Sequence, residues 1–265
     1  MKTVGVFDSG VGGLSVLRAL LAELPGVRFV YVADSAYAPY GERTVAEITD
    51  RSERITVWLR QTHHIDALVV ACNTATAMAI DSLRATHPDL PIVGVEPALK
   101  PAAATSQTRH IGVLATRGTL NSERFARLRT QLENTASSPV HFICQPCDGL
   151  ADAIERDDLP AQQNLSGRYV AALLEHAPGD MDTVVLGCTH YPFAADALAQ
   201  LLGPDVTLVD TGVAVARRTR EVLKPVESGS AAVTPELWST GAPAALSKAA
   251  ARWLGIQTQA QKLVF

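Results

Sequence analysis

Residues 67–74 read Ala67-Leu68-Val69-Val70-Ala71-Cys72-Asn73-Thr74, and residues 185–190 read Val185-Leu186-Gly187-Cys188-Thr189-His190. Each is a short apolar run without alternation that stops at a cysteine and passes into polar residues. Such a run fits a strand buried on both faces, the pattern of a parallel sheet. Asn73 and Thr74 are good helix caps, and Pro192 suits a first helical turn, so each stretch predicts strand, turn and helix with the thiol at the strand's C-terminal end.

The same layout extends outward from both stretches. Val4-Gly5-Val6-Phe7 runs into Asp8-Ser9-Gly10-Val11-Gly12-Gly13 and then an apolar face through Leu14, Leu17 and Leu21. Phe29 to Ala33 ends at Asp34, and the turn-rich Ala38-Pro39-Tyr40-Gly41 precedes a helix expected from Val45. Thr44 and Glu47 predict a capping box for that helix, with Ile48, Ile55 and Leu59 on its buried stripe. Ile92-Val93-Gly94-Val95 closes the first series.

A second series follows in the same order. Gly5 to Ser9 pairs with Gly112 to Thr116, Phe29 to Ala33 with Val140 to Ile143, Val70 to Thr74 with Leu186 to His190, and Val93 to Glu96 with Leu208 to Asp210. The offsets lie between 107 and 116 residues, as expected for a duplicated unit with insertions in loops. The expected fold class is therefore α/β, with two pseudo-symmetric parallel-sheet βαβ domains facing each other across a cleft. From Val213 onward a helix, a short segment around Pro235 to Thr240 and an Ala-rich helix near Pro243 to Leu254 are too short for a third domain. They are expected to pack back on the first domain, the short segment pairing with its sheet. In parallel sheets ligands lie beyond the strand C-termini, so chemistry is sought at Asp8-Ser9, Asp34, Cys72-Asn73-Thr74, Ala115-Thr116, Cys188-Thr189-His190 and Asp210.

Composition narrows the function classes. The 265 residues are 47% hydrophobic and 19% charged, as in an ordinary globular protein. Lys plus Arg number 23 against 27 Asp plus Glu, a net charge of -4, and no basic stretch follows a nucleic-acid backbone. The first ten residues lack the apolar core of a signal peptide, and no run of 18 uncharged apolar residues follows, so the expected location is cytoplasmic, with no membrane and no nucleic-acid partner. Four cysteines, at 72, 144, 147 and 188, are too few for a disulfide scaffold.

A thiol at a helix N-terminus is polarised toward thiolate by the unpaired N–H groups of the first turn. Cys72 alone also reads as a buried structural cysteine. Cys188 at the matching place in the second series points instead to two acid/base groups, one on each side of one ligand, as deprotonation and reprotonation with inversion require. Ser9, Asn73, Thr74, Thr116, Thr119 and Thr189 supply small donors that suit a carboxylate substrate. Asp8 and His190 could tune the neighbouring thiols, and read otherwise as a helix cap and a satisfied polar residue. Asp34 and Asp210 read as structural. Gly10-Val11-Gly12-Gly13 lacks the spacing of a dinucleotide loop and reads as a tight turn. Cys144-Gln145-Pro146-Cys147 supplies half a zinc site and reads as incidental. Lys2, Lys100, Lys224, Lys248 and Lys262 do not follow strand ends, which disfavours a pyridoxal Schiff base.

Along most of its length the chain resembles the glutamate racemases of the aspartate/glutamate racemase superfamily. The resembling segments are GVFDSGVGGLSVL from Gly5, YVADSAYAPYGERT from Tyr31, VVACNTATA from Val69, GVLATRGT from Gly112 and VLGCTHYPF from Val185. The resemblance implies cofactor-independent interconversion of L- and D-glutamate, with no metal, supplying D-glutamate for peptidoglycan. It implies that Cys72 takes the α-proton of D-glutamate and Cys188 that of L-glutamate, assisted by Asp8 and His190. Ser9, Pro39, Tyr40, Gly41, Asn73, Thr74, Thr116, Thr119 and Thr189 match its substrate-contacting positions. An acidic assisting residue in the second domain aligns best with Glu155, or with Asp152 if the register slips by one turn. The resemblance also implies domains of residues 1–97 with 213–265 and residues 98–212, and a homodimer.

Other readings remain at this stage. Aspartate racemase or another small-dicarboxylate isomerase would use the same thiols. A cysteine hydrolase built on Cys188 and His190 leaves Cys72 and the repeat without a role. An amino-acid-binding protein would hold glutamate and leave its α-hydrogen in place.

Overall fold

A computed structural model of the chain describes residues 1–135, 139–177, 179–223 and 233–265; Lys224 lies outside them. The chain divides into two compact units, Met1–Val95 with Gly212–Phe265, and Glu96–Thr211.

The first unit begins β1 (Thr3–Asp8), α1 (Leu14–Glu23), β2 (Arg28–Ala33), α2 (Val45–His63), β3 (Ala67–Val70), α3 (Asn73–Thr86) and β4 (Ile92–Gly94). The second comprises α4 (Leu99–Thr105), β5 (His110–Ala115), α5 (Arg117–Leu120), α6 (Glu123–Thr135), β6 (His141–Pro146), α7 (Leu150–Glu155), α8 (Leu159–His176), β7 (Thr183–Gly187), α9 (Ala195–Leu202) and β8 (Thr207–Val209). The chain then returns to the first unit with α10 (Gly212–Leu223), β9 (Glu236–Ser239), α11 (Pro243–Leu254) and β10 (Gln261–Lys262).

Both sheets are parallel throughout. The first has the order β10-β9-β2-β1-β3-β4 and the second β6-β5-β7-β8. Strip the two returning strands from the first sheet, and its order β2-β1-β3-β4 is that of the second. The duplication expected from sequence is thus a duplication of topology. The short segment after residue 233 pairs with β2, from Val30 opposite Glu236 to Ala33 opposite Ser239.

Strands β1, β3 and β7 are buried at every residue, which explains their unbroken apolar sequence. In α2 the capping box is present, with Glu47 N–H donating to Thr44 Oγ1 at 3.3 Å and Thr44 N–H to Glu47 Oε2 at 2.9 Å. Its buried face carries Ile48, Ile55 and Leu59, but also Arg51, Ser52 and Thr56. Leu59 and Leu68 are wholly buried in the core of this unit, each contributing about 1.5–3 kcal/mol relative to exposure. Strand β6 runs three residues beyond the expected Ile143, so Cys144 lies inside it and Cys147 just past its end. It is an edge strand, paired with β5 alone, and Pro146 at its last position costs it no needed N–H.

Candidate active site

In the first unit the ends of β1 and β3 bring Cys72, Ser9 and Asp8 together. Cys72 is the N-cap of α3, and its sulfur accepts the N–H of Ala75 at 3.4 Å. A sulfur in that position faces the positive end of the helix, which favours its charged form. Ser9 Oγ lies 3.8 Å from Cys72 Sγ. Asp8, fully buried, accepts from the N–H of Ser9 at 2.7 Å and from the N–H of Gly13. Its carboxylate therefore shapes the loop from Ser9 to Gly13 as a helix-capping anchor would. A Cβ on Gly13 would stand 2.7 Å from Asp8 Cβ and 2.8 Å from the Tyr31 hydroxyl, so only glycine fits. Tyr31 cannot give way easily, because its hydroxyl donates to Gly10 O at 2.6 Å. Asn73 and Thr74 are buried in the first turn of α3, and Asn73 Nδ2 donates to Val95 O at 3.5 Å. Tyr40 belongs to the same buried cluster as Cys72, whereas Pro39 is half-buried and Gly41 exposed.

In the second unit Cys188, His190 and Glu155 form a chain. Cys188 Sγ lies 3.7 Å from His190 Nδ1, and His190 Nε2 lies 2.8 Å from Glu155 Oε2. Burial works against a charged imidazole, but the hydrogen bonds to Cys188 and Glu155 outweigh it and hold His190 well above the usual histidine range. The arrangement is a cysteine sulfur beside an imidazole whose far nitrogen is held by a carboxylate. Glu155, at the end of α7, makes this contact, whereas Asp152 one turn earlier pairs with Arg156. Gly187 lets β7 approach β5 just before Cys188, since a Cβ there would meet Ala115 Cβ at 2.8 Å and Leu114 O at 3.0 Å. Thr116 and Thr119 share a hydrogen bond of 2.9 Å beyond β5, and Thr189 is buried next to Cys188.

One cluster at the strand ends was not anticipated. Asp34 is fully buried and receives four hydrogen bonds: Arg51 Nε at 3.0 Å, Arg51 Nη2 at 2.8 Å, the Tyr40 hydroxyl at 2.6 Å and Thr240 Oγ1 at 2.8 Å. Burial, then the Asp34 charge, raises the Tyr40 phenol far above its ordinary value, so it stays protonated and donates. Removing one side of so buried an ion pair costs about 3–5 kcal/mol. The signal was in the sequence: Arg51 falls on the apolar stripe of α2, where an arginine requires a buried partner. Asp210, the other strand-end acid, is exposed.

The remaining candidates lie elsewhere. Burial raises the thiol of Cys144 and pushes that of Cys147 up to about 12. Among the described residues no group of three or more His, Cys, Asp or Glu could hold a metal ion. Lys2 pairs with Asp66, Lys262 donates to Thr240 O and Gly241 O, each at 2.6 Å, and Lys100 is exposed on α4.

The chain is 48% identical over 245 residues to a glutamate racemase of Pseudomonas aeruginosa, covering 91% of this chain and 89% of that one. It is 47% identical over 264 residues to a glutamate racemase of Ralstonia pickettii, covering 98% and 90%. The crystal structure of Escherichia coli glutamate racemase in complex with L-glutamate and the activator UDP-MurNAc-Ala superposes with a TM-score of 0.86 at 32% identity, covering 99% of this chain and 98% of that chain. Residues 4–219 match the model of the Asp/Glu/hydantoin racemases, and with more than half its length so matched the chain belongs to that family.

Proposed function

We propose that the protein interconverts L- and D-glutamate without a cofactor, using Cys72 and Cys188 as the two acid/base groups. Support for the substrate comes from the relatives named glutamate racemase, which align over nearly the whole chain at 45–48% identity. The observation that carries the mechanism is that Cys72 and Cys188 end equivalent strands, β3 and β7, of two sheets with the same strand order.

In this reading the two units are the domains of the enzyme. The Cys72 thiolate takes the α-proton of D-glutamate, leaving the electron pair on the α-carbon and carboxylate, and the Cys188 thiol returns a proton to the opposite face. The reverse reaction exchanges the roles. Fixed donors from Ser9, Asn73, Thr74, Thr116, Thr119 and Thr189 hold the carboxylates and the developing charge. Asp8, set beside Ser9, receives the ammonium or assists Cys72, while His190 with Glu155 assists Cys188. Pro39, Tyr40 and Gly41 complete the substrate wall. The product D-glutamate serves cell-wall peptidoglycan. The assembly is a homodimer, and the location cytoplasmic; among the described residues no helix is long and apolar enough to cross a membrane.

The test is incubation of each glutamate enantiomer with pyridoxal-free protein in heavy water, following optical rotation and α-deuterium. Both enantiomers are expected to racemise with deuterium incorporation, and Cys72→Ser or Cys188→Ser to suppress the reaction severely. Full racemisation in either variant refutes the two-thiol mechanism. Aspartate racemised in preference to glutamate refutes the substrate.

A further inference from the structure

The segment from Ser35 to Gly41 connects β2 to the wall that Tyr40 provides, and the residues holding it come from far along the chain. Its start is fixed by Asp34 N–H donating to Asp8 O at 2.9 Å and by Tyr37 N–H donating to Asp34 O at 2.9 Å. Ala36 N–H donates to Thr240 Oγ1 at 3.2 Å, just past the end of β9. Gly241 lies so close that a Cβ on it would stand 2.9 Å from Ser35 Cβ. Thr240 and Gly241 are fastened in turn by Lys262 Nζ on β10.

Arg51 joins these pieces. Its guanidinium binds Asp34 in a fork, and Asp34 in turn accepts the Tyr40 hydroxyl. The same guanidinium lies under the Tyr37 ring at 3.9 Å and against the Phe265 ring at 4.9 Å. A planar cation in contact with two rings restrains both, and a lysine could neither fork nor stack in that way. The short turn beginning at Tyr40 packs on α3, the helix that Cys72 heads.

We propose that Arg51 is a positioning residue for the substrate wall Pro39-Tyr40-Gly41, and that Phe265 closes its stack so that the returning 233–265 stretch sets the affinity for substrate. The proposal rests on the glutamate racemase reading of the site. None of these side chains needs to touch the reacting atoms. Their loss should loosen binding of either enantiomer and leave the proton transfers at Cys72 and Cys188 largely as they were.

The experiment compares unaltered protein with Phe265→Ala, Phe265→Tyr and Arg51→Lys in three measurements: KM and kcat in both directions, the melting temperature, and hydrogen exchange of amides 35–43 without substrate. Phe265→Ala is expected to raise KM about two- to five-fold, the equivalent of one exposed cation–ring contact, with kcat within about two-fold of the unaltered value. Its amides 35–43 should exchange faster while the rest of the chain keeps its rates. Phe265→Tyr should restore both KM and exchange, and Arg51→Lys should exceed Phe265→Ala in both effects. An unchanged KM, a fall in kcat at constant KM, or faster exchange spread evenly over the chain overturns the positioning role. If the unaltered protein leaves glutamate unchanged, the proposed function fails, and exchange at 35–43 alone decides whether Arg51 and Phe265 hold the segment.

Discussion

Replacing Glu155 with Gln tests how the second thiol is supported. The Glu155 carboxylate sits 2.8 Å from His190 Nε2, and their side chains are 16% and 7% exposed, so solvent screens the pair only weakly. Glutamine keeps the shape and removes the charge. A hydrogen bond to a charged group contributes about 1.5–3 kcal/mol, and 1.36 kcal/mol is one pKa unit, so the His190 value should fall by about 1–2 units. Because His190 is raised in the folded protein, the stabilisation it supplies is full below the unfolded histidine value of about 6.5 and is lost as pH rises through the folded value. The stability gap between unaltered and variant protein should therefore narrow as pH rises through that window. Activity should follow the same group: the alkaline limb of kcat moves to lower pH by about 1–2 units, a loss of about ten- to a hundred-fold between the old limb and the new one. Circular-dichroism progress curves from each enantiomer between pH 6 and 10 give both kcat values. Since the equilibrium between enantiomers is fixed, kcat/KM must fall equally in the two directions. A loss of activity equal at every pH, or an unmoved alkaline limb, would refute the role assigned to the His190 imidazolium.

Two further perturbations probe the frame of the site. Gly13→Ala forces a Cβ against Asp8 and the anchored Tyr31 hydroxyl; an overpacking cost of about 1–3 kcal/mol should lower the melting temperature by several degrees and depress kcat, and thermal denaturation within about 1 °C of the unaltered protein would contradict the crowding. Asp182, before β7, accepts from Ser106 Oγ, Thr183 Oγ1 and the N–H groups of Gln107 and Thr108; burial raises its carboxyl, but these donors prevail and hold it at about 2. Its stabilising contribution, about 1–2 kcal/mol after solvent screening, is present above about pH 4 and lost as pH falls toward 2, so Asp182→Asn should lower stability at pH 7 and cease to matter near pH 2 in acid-unfolding curves.

The sequence made the strand ends legible because parallel strands buried on both faces cannot alternate, and their apolar runs stop where the chain meets polar turn chemistry. That placed Cys72 and Cys188 at equivalent positions before any coordinates, together with the helices that follow Thr44 and Ala242. Glu155 was harder, because one helical turn separates it from Asp152 and a pattern of acids carries no information on which carboxylate an imidazole reaches. Only the rotation of α7 decides it. The support of the turn at Pro39-Tyr40-Gly41 was legible only in part: Arg51 on the apolar stripe of α2 requires a buried partner, but nothing local in the sequence names it. Asp34 and Arg51 are 17 residues apart and Asp34 and Thr240 are 206 apart; pairing over such distances is set by the strand order, which no local pattern encodes.

Assembly of the first unit from two separated stretches also fixes an order of events at the ribosome. Residues 96–211 leave the exit tunnel as a continuous stretch and can close their four-stranded sheet while β9 and β10 are still being translated. The earlier-made half must wait, its β2 edge unpaired, until Glu236 to Ser239 emerges. A nascent chain stalled before that point would carry a finished second unit beside an open-edged first one. Quality-control proteases would meet that species as a half-sheet with an exposed edge strand, and pairing of Glu236 to Ser239 with β2 would be the step that hides it.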